Sequence, residues 1–88
     1  MLFQRADGVV YEVVDGKAML VDMAGKELLT LNPVGTLVWE MLSDEGDPSV
    51  MASKLVTTFE GVSVGELERD IQDFLNELVG LGLVVSGD

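Results

Sequence analysis

The sequence predicts an α+β fold of winged helix-turn-helix type, a three-stranded antiparallel meander followed by three helices. Three observations predict it. Alternating apolar runs at 9–14, 17–23 and 26–31 are separated by two-residue turn signals. An Asn32-Pro33 helix start follows the last run, and apolar residues then recur at helical spacing towards the C-terminus.

Asp15-Gly16 separates the first two runs and is a strong hairpin signal, because a type I′ turn needs positive φ at both central residues. Ala24-Gly25 separates the next two as a weaker version of the same turn. Pairing Val14 with Lys17 and Met23 with Lys26 then sets the register. One face carries Val9, Tyr11, Val13, Ala18, Leu20, Leu29 and Leu31, interrupted by Asp22 and Glu27 at one end. That face is expected to pack on helices. The other face is mixed, yet Val10, Val21 and Leu28 fall in one cross-strand row with Met19 beside them.

In the helical half, Asn32 is a good N-cap and Pro33 occupies the first helical position, where its missing N–H costs nothing. Val34, Leu37, Val38, Met41 and Leu42 form the expected apolar stripe, with Trp39 half-buried at its edge. Asp44-Glu45-Gly46-Asp47-Pro48 ends this helix and starts the next, whose stripe is Met51, Leu55, Val56 and Phe59. Gly61-Val62-Ser63 forms the following turn. Ser63 with Glu66 matches a capping box for a third helix reaching about Gly80, with core positions Leu67, Ile71, Phe74 and Leu78. Gly82 is a C-terminal stop, and Leu83-Val84-Val85 is a short apolar tail.

The 88 residues are expected to form a single domain over 1–88, large enough for one core. With 16 acidic against 5 basic residues the net charge is -11. Such a surface repels nucleic acid phosphates and anionic membranes, and it favours a basic or neutral partner; the same charge also keeps a small apolar domain soluble. No apolar run approaches the ~20 residues of a membrane span, and the N-terminus lacks a basic segment followed by a signal core. Absence of Cys and His removes the disulfide framework and the commonest transition-metal ligands, so a cytoplasmic protein is the expectation.

The chemistry of an enzyme is hard to build here. No carboxylate pair is placed as general acid and base, Asp44-Glu45-Gly46-Asp47 is too short for a calcium loop, and no Gly-rich phosphate motif occurs. Two surfaces suggest binding instead. The outer side of the third strand, from Lys26 to Leu31, is expected to present unpaired backbone groups. An extended peptide could add there, or the segment at 83–85 or a second copy could pair with it. On the third helix, Glu66, Asp70, Asp73 and Glu77 are spaced by 4, 3 and 4 residues. At ~100° per residue they share an arc of roughly 60°. Phe74 and Leu81 lie nearest this stripe, so it is either a solvated face or the negative rim of an apolar groove. The row of Val10, Val21 and Leu28 is either covered by the chain's own termini or docks a second protein.

The string Leu31-Asn32-Pro33-Val34-Gly35-Thr36-Leu37-Val38-Trp39-Glu40 resembles the PqqD family. So do the loop before the second helix, the run from Val64-Gly65-Glu66-Leu67 through Asp70-Ile71-Gln72-Asp73-Phe74-Leu75-Asn76-Glu77-Leu78, and the close Leu81-Gly82-Leu83-Val84. The resemblance spans about residues 8–85 and carries no catalytic signature. It implies a recognition element for ribosomally made precursor peptides: a cytoplasmic, cofactor-free peptide chaperone that is not an enzyme. Its implied partners are a leader peptide and a modifying enzyme, such as a radical SAM enzyme or a peptidase/cyclase. By position, the implied peptide-binding edge is Lys26, Glu27, Leu28, Leu29, Thr30 and Leu31. The implied groove wall is Asp70, Asp73, Phe74, Glu77 and Leu78. Three other readings stand beside it: a winged-helix nucleic-acid regulator, which the charge opposes; an acidic protein-protein adaptor without a peptide groove; and a carrier domain, which would need an Asp-Ser-Leu attachment motif. An exposed edge strand is also compatible with a homodimer.

Overall fold

Asp15 and Gly16 both turn with positive φ, 53° and 76°, which is the geometry of a type I′ hairpin. In the computed structural model, which describes residues 2–22 and 24–87, this turn joins β2 (Val10–Val14) to β3 (Lys17–Val21). Their register runs from Val14 opposite Lys17 to Val10 opposite Val21, as the two-residue turn dictates. β4 (Glu27–Thr30) pairs with the other side of β3 to complete the three-stranded antiparallel sheet. Met19 lies opposite Thr30 and Leu20 opposite Leu29 in the expected register. The expected partnership of Met23 with Lys26 lies outside the described residues.

The second turn departs from expectation. The Asp22 carboxylate accepts hydrogen bonds from the N–H groups of Ala24 and Lys26, both at 2.9 Å. The Asp22 N–H also donates to the Lys26 carbonyl at 2.9 Å. An Asp side chain that bonds backbone two and four residues on holds a wider turn than Ala24-Gly25 alone would make. Lys26 is therefore in the turn and β4 begins at Glu27. The extra residue is absorbed as a bulge: Val21 lies opposite Glu27 instead of Leu28. The expected outer row keeps Val10 and Val21 but loses Leu28 from alignment.

On the inner face Ala18, Leu20 and Leu31 are buried, while Val9, Tyr11 and Leu29 are half-buried. Val13, beside the hairpin tip, is exposed. α1 (Pro33–Met41) is capped by Asn32, whose Oδ1 accepts from the Gly35 N–H at 2.7 Å. Its buried face is Gly35, Thr36, Val38 and Trp39. Val34 and Leu37 are exposed, so the expected stripe is rotated towards Trp39, which is wholly buried and not half-buried. A guanidinium explains part of that shift. Arg5 donates to the Trp39 carbonyl at 2.7 and 3.1 Å, and it lies 4.8 Å from the Tyr11 ring centroid and 5.0 Å from that of Trp39. The indole is thereby packed beneath a cation and edge-on to Tyr11.

α2 (Pro48–Leu55) starts at Asp47, which caps Ser49, and packs on α3 (Val64–Gly80). Ser63 caps α3 through the Glu66 N–H, as the sequence signature predicts. Leu67, Ile71, Leu75 and Leu78 are its buried positions. Leu75 takes the interior place expected for Phe74, whose ring is only half-buried. Gly82, at φ 78°, ends the helix in a Schellman turn, with Leu83 N–H bonded to the Leu78 carbonyl at 2.9 Å.

The strands are thus followed by three helices, a winged-helix-like α+β arrangement, with one further element pair. β1 (Leu2–Arg5) and β5 (Val84–Gly87) form a separate two-stranded antiparallel sheet. The apolar tail is therefore a strand, and its partner is the N-terminus and not the third strand of the meander. Phe3 and Val84 insert from this sheet into a continuous core that includes Leu20, Trp39, Met51 and Leu75.

Candidate functional site

The chain direction at Leu31 creates the site. Leu31 N–H bonds to the Ala18 carbonyl at 2.8 Å, continuing the β3–β4 ladder for one more residue. Asn32-Pro33 then turns the chain into α1, and the Thr36 hydroxyl accepts the Ala18 N–H at 2.7 Å in place of a ladder carbonyl. β4 is consequently short and ends abruptly. Its other side is an edge: the strand order is β2-β3-β4, β5 pairs with β1, and no described strand covers β4. Antiparallel bonding alternates along a strand. Since Leu31 and Leu29 face β3, the backbone N–H and C=O of Thr30 point away from the sheet.

Below this edge lies a hollow of about 270 Å³ between β4 and α3. Leu29, Thr30, Leu31 and Asn32 form one wall, and Phe74, Glu77, Leu78 and Leu81 the other. Leu31 and Leu78 are buried and make its floor. A second hollow of about 180 Å³ shares Asn32 and Phe74 and continues between α1 and α3 past Val34, Gly35, Val38, Leu67, Asp70 and Ile71. A third, wider one of about 390 Å³ shares Val34, Leu67 and Asp70 and opens towards Phe59, Glu60 and Val62. The charged groups described on these walls are all carboxylates: Glu77, Asp70 and Glu60.

The structure brings together Leu29, Thr30, Leu31, Phe74, Glu77 and Leu78 around one hollow and places Asp70 in the adjoining ones. Lys26 sits in the preceding turn, with its N–H held by Asp22. Glu27 opens β4 and accepts a hydrogen bond from the Thr30 hydroxyl at 2.9 Å. Leu28 is exposed at the bulge, and Asp73 is exposed on α3; neither lines these three hollows. Sequence reasoning missed Asn32 and Gly35 as walls of the site. Both lie in the Leu-Asn-Pro-x-Gly string, but their role depends on where Phe74 comes to rest. Gly35 fits closely there: a Cβ on it would lie 3.1 Å from Phe74 Cζ and 3.2 Å from Asn32 Oδ1.

The arrangement suits capture of an extended chain better than covalent chemistry. It offers backbone donors and acceptors at an edge, an apolar floor and a negative rim. Among the described residues no group of three His, Cys, Asp or Glu side chains is disposed to hold a metal ion. Among the described residues no helix is long and apolar enough to cross a membrane.

Comparison with known proteins gives a family and a fold. The sequence profile of the family described as coenzyme PQQ synthesis protein D (PqqD) matches residues 17–84. No curated protein sequence matches the chain. TbiB1, solved in complex with the TbiA(beta) leader peptide, has the same fold, with TM-score 0.82 and 24% identity, covering 97% of this chain and 98% of that one. Lasso peptide synthetase B1, complexed with the leader peptide, superposes with TM-score 0.81 and 24% identity, covering 98% of this chain and 100% of that one.

Proposed function

The chain belongs to the PqqD family, and from that membership, the free β4 edge and the groove beneath it we propose that it is a peptide-recognition element. It binds the leader segment of a ribosomally synthesised precursor by strand addition to β4, beside α3, and presents it to a modifying enzyme. The observation that carries this reading is the outward-facing backbone of Thr30 directly above the hollow of Leu31, Phe74 and Leu78. A strand added there pairs with that backbone and sends alternate side chains into the hollow. Backbone bonding supplies affinity with little regard to sequence, and the pockets beside Leu29 and Phe74 supply selection. Two proteins of the same fold are complexed with leader peptides, which supports the reading. The role asks for no catalytic group or cofactor, so the chain acts as a binding partner and not a catalyst, in the cytoplasm where the precursor is made.

Titration of the leader of the precursor encoded nearest to this gene into isotope-labelled protein tests the idea. Amide shifts are expected from Glu27 to Leu31 and along α3; shifts that avoid both would sink it. Thr30→Pro removes the outward N–H and leaves the bonds between β3 and its neighbours Leu29 and Leu31 in place. At ~1 kcal/mol or more for a lost backbone bond and a disturbed neighbour, binding is expected to fall about tenfold. An unchanged β2–β3 amide spectrum would show that the fold survives.

A further inference from the structure

The groove does not stop where β4 stops. Its α3 wall runs from Leu81 through Phe74 to Leu67, fourteen residues on, which is about 21 Å of helix. An extended ligand covers that distance in about six residues at ~3.3 Å each. β4 itself has 4 residues and is closed by Pro33 at the start of α1. A ligand that pairs with β4 and follows the groove must therefore leave the sheet and lie between α1 and α3.

Phe74 stands where the two hollows meet, half-buried, with its ring held against Gly35 at the 3.1 Å a Cβ would leave. The hollow beyond it is walled mainly by Val38, Ile71 and Leu67, with Asp70 at its mouth. Glu77 stands on the other side. Along the helix Asp70 is about 6 Å and Glu77 about 4.5 Å from Phe74, on opposite sides. Same-face side chains of an extended peptide repeat every ~6.6 Å, close to the first interval and about 2 Å longer than the second, a difference that a long Lys or Arg side chain spans. No described Lys or Arg lines either hollow, and the whole chain carries -11.

Building on the strand-addition reading, we propose that the ligand carries an apolar side chain that seats beside Phe74, with Lys or Arg two positions to either side meeting Asp70 and Glu77. Gly35 is a specificity-determining residue for this seat: it lets the Phe74 ring lie against α1 and so keeps the second hollow open. A methyl group at 35 would stand 3.1 Å from Phe74 Cζ, so the ring must give by a few tenths of an ångström and the wall shared by the two hollows changes shape. Acidic segments of equal strand-forming capacity are rejected by the two carboxylates.

The test is selection of phage-displayed random peptides, about twelve residues long so that they exceed the groove's reach, on the immobilised full chain at low salt. The expected result is enrichment of an apolar residue with Lys or Arg two positions away, in peptides that perturb the β4 amides. Asp70→Asn with Glu77→Gln should weaken the selected peptides about five- to tenfold, as two partly exposed charge pairs allow, and flatten their salt dependence. Gly35→Ala should weaken them while β4 shifts persist; Phe74→Leu supplies the same test with less packing strain. Peptides that engage β4 without basic enrichment, and bind the doubly neutralised protein equally, overturn this proposal and leave strand addition standing. Selected peptides that leave β4 unperturbed, or a selection that enriches none, overturn strand addition and this proposal with it.

Discussion

Thr36 does a job at the level of single atoms that its residue type does not announce. It is a buried polar side chain, 3% exposed, and its hydroxyl accepts the Ala18 N–H where β4 has left the sheet. An unpaired buried N–H costs roughly 1–3 kcal/mol. Thr36→Val keeps the shape and removes the acceptor, so urea unfolding should show a loss in that range, while Thr36→Ser should recover most of it. Thr36→Val retains the methyl and Thr36→Ser retains the hydroxyl, so a larger loss for Thr36→Ser than for Thr36→Val would mean that methyl packing, and not the hydrogen bond, matters here. The consequence for binding follows from position. Ala18 also accepts the Leu31 N–H, so Thr36→Val loosens the inner side of the strand whose outer side receives the peptide, and affinity should fall together with stability.

At the scale of elements, the β1–β5 sheet is the least expected part of the molecule and one of its firmest attachments. The Phe3 N–H donates to the Gly46 carbonyl at 2.8 Å, and the Phe3 side chain is 2% exposed. A Cβ on Gly46 would collide with the Phe3 backbone, so only glycine lets β1 approach the α1–α2 loop. Phe3→Ala should cost about 3–5 kcal/mol by cavity formation, a large share of the roughly 4–13 kcal/mol available to a chain of this length. Gly46→Ala should destabilise through the backbone clash instead, with chemical-shift changes at both β1 and the loop. If Gly46→Ala melts like the parent, β1 is not held as described. Local signals made the element order and most boundaries legible: Asp15-Gly16, Asn32-Pro33, the Ser63 cap and Gly82 each act within a few residues. The β1–β5 pairing joins residues at opposite ends of the chain, and no local pattern encodes it. The bulge at Leu28 was hidden because the Asp22 side chain, not the turn dipeptide, sets the loop. The groove was half legible. Helical spacing put Asp70, Phe74, Glu77 and Leu78 on neighbouring faces, but 74 and 75 lie one step apart at the edge of the stripe. Leu75 takes the interior place and Phe74 rests against Gly35 of α1, an inter-helix contact that local spacing does not encode.

For the whole molecule the governing quantity is the net charge of -11 on a body of 39 × 33 × 20 Å. At ~0.01 M salt the Debye length is about 30 Å, so carboxylates across most of the molecule repel one another; near 0.15 M it is about 8 Å and only neighbours do. Unfolding spreads those charges apart, so self-repulsion weakens the compact state and screening relieves it. Sodium chloride should therefore raise the melting temperature over this range. The same screening should weaken a basic peptide held at Asp70 and Glu77, because attraction across the rim falls as repulsion within the protein does. Stability and affinity are thus expected to move in opposite directions with salt, which a simple tightening or loosening of the fold cannot produce. Melting curves and peptide titrations along one salt series decide the matter. A peptide whose affinity rises with salt in step with the melting temperature would place its binding energy in apolar burial and backbone pairing at β4, with no contribution from the acidic rim.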